Sequence, residues 1–245
     1  MTSPSDAPVA VVTGGSSGIG LAVTQALVGR GWRLISLSRS RGPQPVDVTW
    51  VPCDLTDLTS LQQGLARVTD LVDGGRVDGG LGDRGVDAVV HCAGLLRSAY
   101  LGSLDARDGA AMWAVHVRAA EVLVDRLAER LRDGGRVVLV GSRTMTGVAG
   151  KSQYAATKAA LAALARSWAS ELAPRAITVN VVAPGPTRTA MLDDPARAAT
   201  PPQVPPLGRL VEPGEVADLV LFLLQETGAM ITGQTLVLCG GASLA

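Results

Sequence analysis

The sequence predicts a single α/β domain, a doubly wound parallel sheet with helices on both faces. Three observations carry that expectation. Short apolar, β-branched runs alternate with helical stretches along the whole chain, as in a sheet buried on both sides by crossover helices. The first such run leads directly into a glycine-rich turn and a helix, the opening of a βαβ unit. Finally, Gly14, Asp54, Gly94, Ser142 and Pro184 each stand just after a predicted strand. That is the carboxyl edge, where such sheets gather their ligands.

Residues 1–8 read as a frayed tail and residues 9–245 as the domain. Residues 9–13 are the first strand, 14–20 the glycine turn, and 21–28 a helix stopped by Gly29 and Gly31. Residues 33–38 are the second strand. Residues 40–47, with Gly42, Pro43 and Pro45, are too proline-rich for a crossover helix and read as a loop. A third strand spans 49–53 and a helix 57–72. Residues 74–85 hold six glycines and are expected to form a mobile surface loop before the buried strand 86–92. A long helix at 110–132 is closed by Gly134-Gly135, and the strand at 136–140 ends at Gly141-Ser142. A second long helix spans 153–172 and stops before Pro174. The strand at 177–182 runs into Pro184-Gly185. Residues 186–209 are rich in proline and small side chains and suit a substrate lid. A helix at 215–224 and a strand at 236–239 complete the domain.

Composition excludes several function classes. The chain has 245 residues, 47% hydrophobic and 18% charged, enough for one substantial core. With 22 basic and 22 acidic residues there is no positive field to attract nucleic acid or an anionic membrane. No apolar run reaches membrane-spanning length. The start of the chain lacks a basic region followed by an apolar core, so a secretory signal is not expected. Cys53, Cys92 and Cys239 are scattered, odd in number and without a Cys-x-x-Cys pair, which fits a reducing cytoplasm. The two histidines, His91 and His116, are too few for a histidine-rich metal site, and no metal is expected.

The chemistry gathers at five places. Gly14, Gly18 and Gly20, with Ser16, Ser17 and Ile19 between them, leave backbone amides free to meet a pyrophosphate at a helix N-terminus. Ser38-Arg39 ends the second strand without an acid for ribose hydroxyls. Arginine there suits a 2′-phosphate, so NADP(H) is preferred and NAD(H) remains possible. Asp54 and Leu55 can edge an adenine ring, or Asp54 or Thr56 can cap the next helix. Ser142 can hydrogen-bond a carbonyl, or be an ordinary turn serine. A serine nucleophile is disfavoured because no Gly-x-Ser-x-Gly elbow surrounds it and both histidines lie well upstream. Tyr154 and Lys158 are four apart, on one face if helical. A tyrosine with its usual pKa of about 10 becomes a useful acid or base near neutrality when a cation lies beside it.

Together these motifs resemble the short-chain dehydrogenase/reductase family, especially its β-ketoacyl-carrier-protein-reductase-like members. The resemblance covers essentially the whole chain. It rests on Thr13-Gly14-x3-Gly18-x-Gly20, Ala93-Gly94, Ser142, Tyr154-x3-Lys158, the run from Asn180 to Gly185 followed by Thr187 and Thr189, and the C-terminal motifs Pro206-Leu207-Gly208-Arg209 and Ile231-Thr232-Gly233-Gln234. It implies a Rossmann-type fold and hydride transfer with NAD(P)(H) between a ketone and a secondary alcohol. Tyr154 is then the general acid/base, Lys158 lowers its pKa and holds the nicotinamide ribose, and Ser142 orients the carbonyl. Gly14, Ser16 and Ile19 line the phosphates and ribose, Cys92, Ala93 and Gly94 flank the cofactor, and Pro184, Gly185, Thr187 and Thr189 support the nicotinamide. The resemblance also implies a homotetramer or homodimer.

Four departures from the family pattern stand out. His91-Cys92 replaces two asparagines, and a sheet-bridging hydrogen bond is expected to be lost. His116 replaces a helix asparagine of the proton relay and is read as a modified catalytic member, since histidine donates, accepts and titrates near neutrality, with a purely structural histidine as the alternative. The Ser142–Tyr154 separation is one residue short. Cys239 replaces an aspartate, with a local packing effect. The leading expectation is an NADPH-dependent reductase of a small-molecule ketone. An NAD-dependent alcohol or polyol dehydrogenase, and a non-catalytic cofactor-binding regulator on the same scaffold, are the alternatives. Specificity is assigned to residues 95–100, 143–152 and the lid. Met191, Leu192, Val204 and Leu207 suit an uncharged substrate portion, whereas Arg143, Lys151 and Arg188 suit an anionic one.

Overall fold

Val9–Thr13 (β1) is buried at every position and is the spine of the sheet. Its residues point alternately to two apolar layers. Val9 and Val11 join one layer with helices α2 (Leu58–Val72), α4 (Ala119–Leu127) and α5 (Ser152–Leu172). Ala10 and Val12 join the other with α1 (Gly18–Val28) and α6 (Pro213–Leu224). A strand buried on both faces has no polar side, which is why these runs show no period-two alternation. In this computed structural model, which describes residues 7–74, 85–194 and 200–244, seven parallel strands take the order β3-β2-β1-β4-β5-β6-β7. The other six are β2 (Arg33–Ser38), β3 (Thr49–Pro52), β4 (Val86–His91), β5 (Leu131–Val140), β6 (Thr178–Pro184) and β7 (Thr235–Leu238).

The winding reverses between β1 and β4, so a crevice opens beyond their carboxyl ends. Thr13 stands opposite His91 there. The predicted tail and the glycine-rich loop lie largely outside the described residues, as do residues 195–199 of the predicted lid. No helix among the described residues is long and apolar enough to cross a membrane.

Several boundaries differ from the sequence expectation. The helix α1 begins at Gly18, because the glycine turn passes directly into helical geometry. The predicted long helix 110–132 starts earlier, with α3 (Ala106–Trp113) capped by the Asp105 carboxylate. It is interrupted by a π-helical segment, Ala114–Arg118, and ends with α4 at Leu127. Leu131 already belongs to β5, opposite Val86, and Gly134-Gly135 sit in a bulge of that strand rather than closing a helix. The helix α2 is capped by Asp57, whose carboxylate accepts from the Thr59 and Ser60 amides, so neither Asp54 nor Thr56 is its cap.

His91 also differs from the sequence expectation. The bridging hydrogen bond expected to be lost is replaced by two. His91 Nε2 lies 3.0 Å from the Val115 carbonyl, an acceptor only, so Nε2 carries the proton and donates it there. His91 Nδ1 then accepts from the Thr13 hydroxyl at 2.9 Å, and Thr13 accepts in turn from the Ala93 amide at 3.2 Å. Histidine thus ties β1, β4 and the π segment together. Burial, and secondarily the Lys158 charge, push its pKa down to about 3, so it stays neutral.

Candidate active site

The crevice is a cavity of about 770 Å³ at the carboxyl edge of the sheet. Its lining includes every residue assigned to catalysis or to the cofactor from sequence except His116, whereas Arg188, Val204 and Leu207 of the predicted lid lie outside it.

One end is the glycine turn. Gly14 has φ +71°, and a Cβ there would fall 2.8 Å from Ala93 Cα. A Cβ on Gly20 would run into the Gly14 carbonyl oxygen. The turn therefore packs backbone against backbone on the end of β4. Ser17 makes no side-chain cap at the N-terminus of α1, and no acid stands in its first turn. Unsatisfied amides and the positive end of the helix dipole thus face the cavity without an internal counter-charge. A dinucleotide pyrophosphate fits that cradle. Ser38 is buried and held by the Trp50 indole N–H, which donates to its carbonyl and lies 3.2 Å from its hydroxyl. Arg39 is exposed beside it. Asp54 accepts from the Thr56 hydroxyl and amide, which hold its carboxyl below the usual range, with a smaller contribution from the Arg39 charge. Leu55 is buried alongside.

The other end carries Ser142, Tyr154 and Lys158. Ser142 leaves β5 in extended backbone and caps a 3₁₀ turn, accepting from the Thr144 amide at 3.2 Å, with the Thr144 hydroxyl at 2.9 Å. Tyr154 and Lys158 share the inward face of α5, and both are buried. The Lys158 Nζ lies 5.9 Å from the Tyr154 ring centroid and donates to the Val140 carbonyl at 2.7 Å. Burial drives the Lys158 ammonium down to about 7, with the Cys92 thiol opposing weakly. Cys92 lies in the wall with its thiol pushed up to about 12 by burial, so it is not a thiolate nucleophile. Pro184 and Gly185 end β6, where the Gly185 amide donates to Leu238 and its carbonyl accepts from Thr187. Gly94 sits beside His116 and Met191, and Thr189 lies over Gly18.

His116 is set apart from the cavity. Its Nε2 accepts from the Leu95 amide at 2.9 Å, so the proton is on Nδ1, which donates to the Thr157 hydroxyl at 2.8 Å. The Thr157 hydroxyl in turn donates to the Tyr154 carbonyl at 2.8 Å. The imidazole edge meets the Tyr154 ring at 5.5 Å between centroids and 86° between planes. Burial, then the charges of Lys158 and His91, hold its pKa well below the usual value. A second proton on Nε2 would face an N–H donor.

Sequence reasoning missed two supports of this site, the Val140 carbonyl and Thr157, and named Thr13 only as part of the glycine motif, without its side-chain bonds to His91 and Ala93. Thr157 was findable, because it stands three residues after Tyr154 on the helix that carries the pair. The Val140 carbonyl was not, since a backbone acceptor leaves no residue signature. Among the described residues no group of three His, Cys, Asp or Glu side chains is arranged to hold a metal.

A family profile described as Enoyl-(Acyl carrier protein) reductase matches residues 14–243. The chain is 34% identical over 250 residues to the 3-oxoacyl-(acyl-carrier-protein) reductase FabG of Vibrio cholerae, covering 95% of this chain and 96% of that protein. It is 35% identical over 248 residues to carbonyl reductase family member 4 of Danio rerio, covering 96% and 98%. A crystal structure of a short chain dehydrogenase from Burkholderia cenocepacia in complex with NADP superposes with a TM-score of 0.81 at 31% identity, covering 97% of this chain and 98% of that one.

Proposed function

The chain belongs to the short-chain dehydrogenase/reductase family, as a FabG-like oxidoreductase, and from that premise we propose that it reduces a ketone to a secondary alcohol with NADPH, using Tyr154 as the general acid. The observation that carries this is the juxtaposition of Tyr154 and Lys158 in one wall of a cavity whose far end is a phosphate cradle. The cofactor supplies the hydride. The glycine turn and the α1 N-terminus hold its pyrophosphate, and Pro184, Gly185, Thr187 and Thr189 bound its nicotinamide end. Ser142 donates a hydrogen bond to the substrate carbonyl, which the 3₁₀ turn aims into the cavity. Tyr154 gives its phenolic proton to the developing alkoxide. The Lys158 ammonium, fixed by Val140, stabilises the phenolate left behind.

A preference for NADPH over NADH is supported by the end of β2, where Arg39 and Arg41 stand with no acid between them. Replacing Arg39 by Asp repels the 2′-phosphate and offers a ribose acceptor. The ratio of kcat/KM for NADPH over NADH is expected to fall by at least about tenfold. An unchanged ratio in steady-state assays would remove Arg39 from cofactor selection.

His116 serves here as a positioning residue. The Leu95 amide on its Nε2 and the hydroxyl on its Nδ1 support a fixed neutral ring that sets both the Leu95 wall and Tyr154. His116→Asn is expected to change kcat/KM while leaving the inflections of its pH profile in place. A shifted inflection would put the imidazole in the proton path, as its place in the relay first suggests.

A cytoplasmic setting is supported by three free cysteines. Assembly as a homodimer or homotetramer is supported by exposed Trp113 and by Val237 on the edge strand β7.

A further inference from the structure

The substrate end of the cavity is walled by Leu95, Leu96, Tyr100, Met191 and Pro201 around Ser142 and Tyr154. Within this apolar wall stands Arg143, next in sequence to Ser142. It is half-buried, and its Nε is closed off from solvent with no acceptor among the described residues. Elsewhere Arg97, Arg130, Arg132, Arg175, Arg188 and Arg209 each pair with a carboxylate. The guanidinium of Arg143 has no ion pair or hydrogen bond among the described residues. A second orphan lies at the same end: the Thr200 hydroxyl is buried, lines the cavity and lacks a partner among the described residues. Lys151 adds another cation to this lining. Asp54 is the only carboxylate among the described lining residues, and it stands at the opposite end, within the field of Arg39.

We propose that Arg143, next to Ser142 in an apolar wall with no counter-charge among the described residues, binds a carboxylate of the substrate, so that the substrate is an oxo acid with its carbonyl and carboxylate a few carbons apart. This rests on the ketone-reductase reading and names its substrate class. A partly desolvated cation with an unmet donor is costly. An uncharged ketone would leave that cost in place. A carboxylate removes it, because the planar guanidinium matches the two oxygens of a carboxylate. Arg143 and Ser142 both line this cavity, so a carboxylate held by Arg143 and a carbonyl held by Ser142 belong to one small substrate. The Thr200 hydroxyl then offers the carboxylate a neutral donor.

The test is calorimetric titration of the protein saturated with NADP+, which prevents reduction. The probes are levulinate, its one-carbon-longer homologue and the methyl ester of each. The wild type is expected to bind at least one acid about tenfold or more tightly than its ester. In Arg143→Met that ratio should fall below about threefold, and Arg143→Lys, which keeps the charge but not the planar fork, should lie between. A wild-type ratio near one, or a ratio that survives Arg143→Met, overturns the proposal. General damage to the fold weakens acid and ester together and leaves the ratio intact, which also counts against it. Turnover of uncharged ketones without an acid preference would sink this inference and spare the reductase reading. Acid binding through Arg143 with no ketone reduced by either cofactor would do the reverse.

Discussion

Replacing Tyr154 by phenylalanine is expected to lower kcat by about 10²–10⁴-fold, the usual worth of a positioned general acid, while NADPH affinity changes by less than about threefold. The substitution removes one hydroxyl from a buried ring. The ring keeps its edge contact with His116, and the Tyr154 carbonyl keeps its bond from Thr157. The cradle that holds the pyrophosphate lies at the other end of the cavity and is built from backbone. Chemistry and cofactor binding should therefore separate. Stopped-flow measurement of the chemical step, with NADPH titration by fluorescence, reads both. Near-wild-type turnover would remove Tyr154 as the acid.

Lys158→Met is expected to abolish measurable turnover and yet raise the melting temperature of the ligand-free protein near neutral pH. Lys158 is 3% exposed, forms no carboxylate pair among the described residues, and donates to the Val140 carbonyl. Burial lowers its pKa from 10.5 to about 7 in the folded state. Between those values the unfolded chain binds the proton and the folded one does not. Stability therefore rises with pH from about 7 toward 10.5, and is lowest, as far as this group is concerned, below about 7. Methionine fills a similar volume without charge. Its loss of the bond to Val140 costs about 0.5–1.5 kcal/mol, against a burial penalty on the order of several kcal/mol for an ion. Thermal unfolding from pH 6 to 10 checks both points: the gap should narrow as pH rises. A variant less stable at every pH would mean that the buried ammonium contributes net stability.

Much of this architecture was legible because its determinants are local. The β-branched runs and the glycines of residues 14–20 each act within one turn or strand. The residues lining the cavity were legible for a related reason, since a doubly wound sheet delivers whatever follows its strands to one edge. The π segment around His116 was not, because one extra residue in a helical turn barely alters an apolar pattern of period 3.6. The start of β5 at Leu131 was hidden by Gly134-Gly135, which read as a helix stop but form a strand bulge. The role of His91 depended on which backbone carbonyl and which hydroxyl lay opposite its ring, pairings between β1, β4 and the π segment that only the fold creates. His116 illustrates the same limit. Its residue type suggests titration near neutrality, whereas its neighbours, an amide donor on one nitrogen and a hydroxyl on the other, fix it neutral.

We propose hydride transfer from NADPH to a ketone in this cavity. A steady-state panel of neutral and carboxylate-bearing ketones, run with NADPH and with NADH and followed by cofactor oxidation, tests it most directly. At least one ketone should be reduced, with kcat/KM about tenfold or more in favour of NADPH. NADPH binding at micromolar affinity with no ketone reduced at any pH from 6 to 9 would contradict it and leave a cofactor-binding protein on a reductase scaffold.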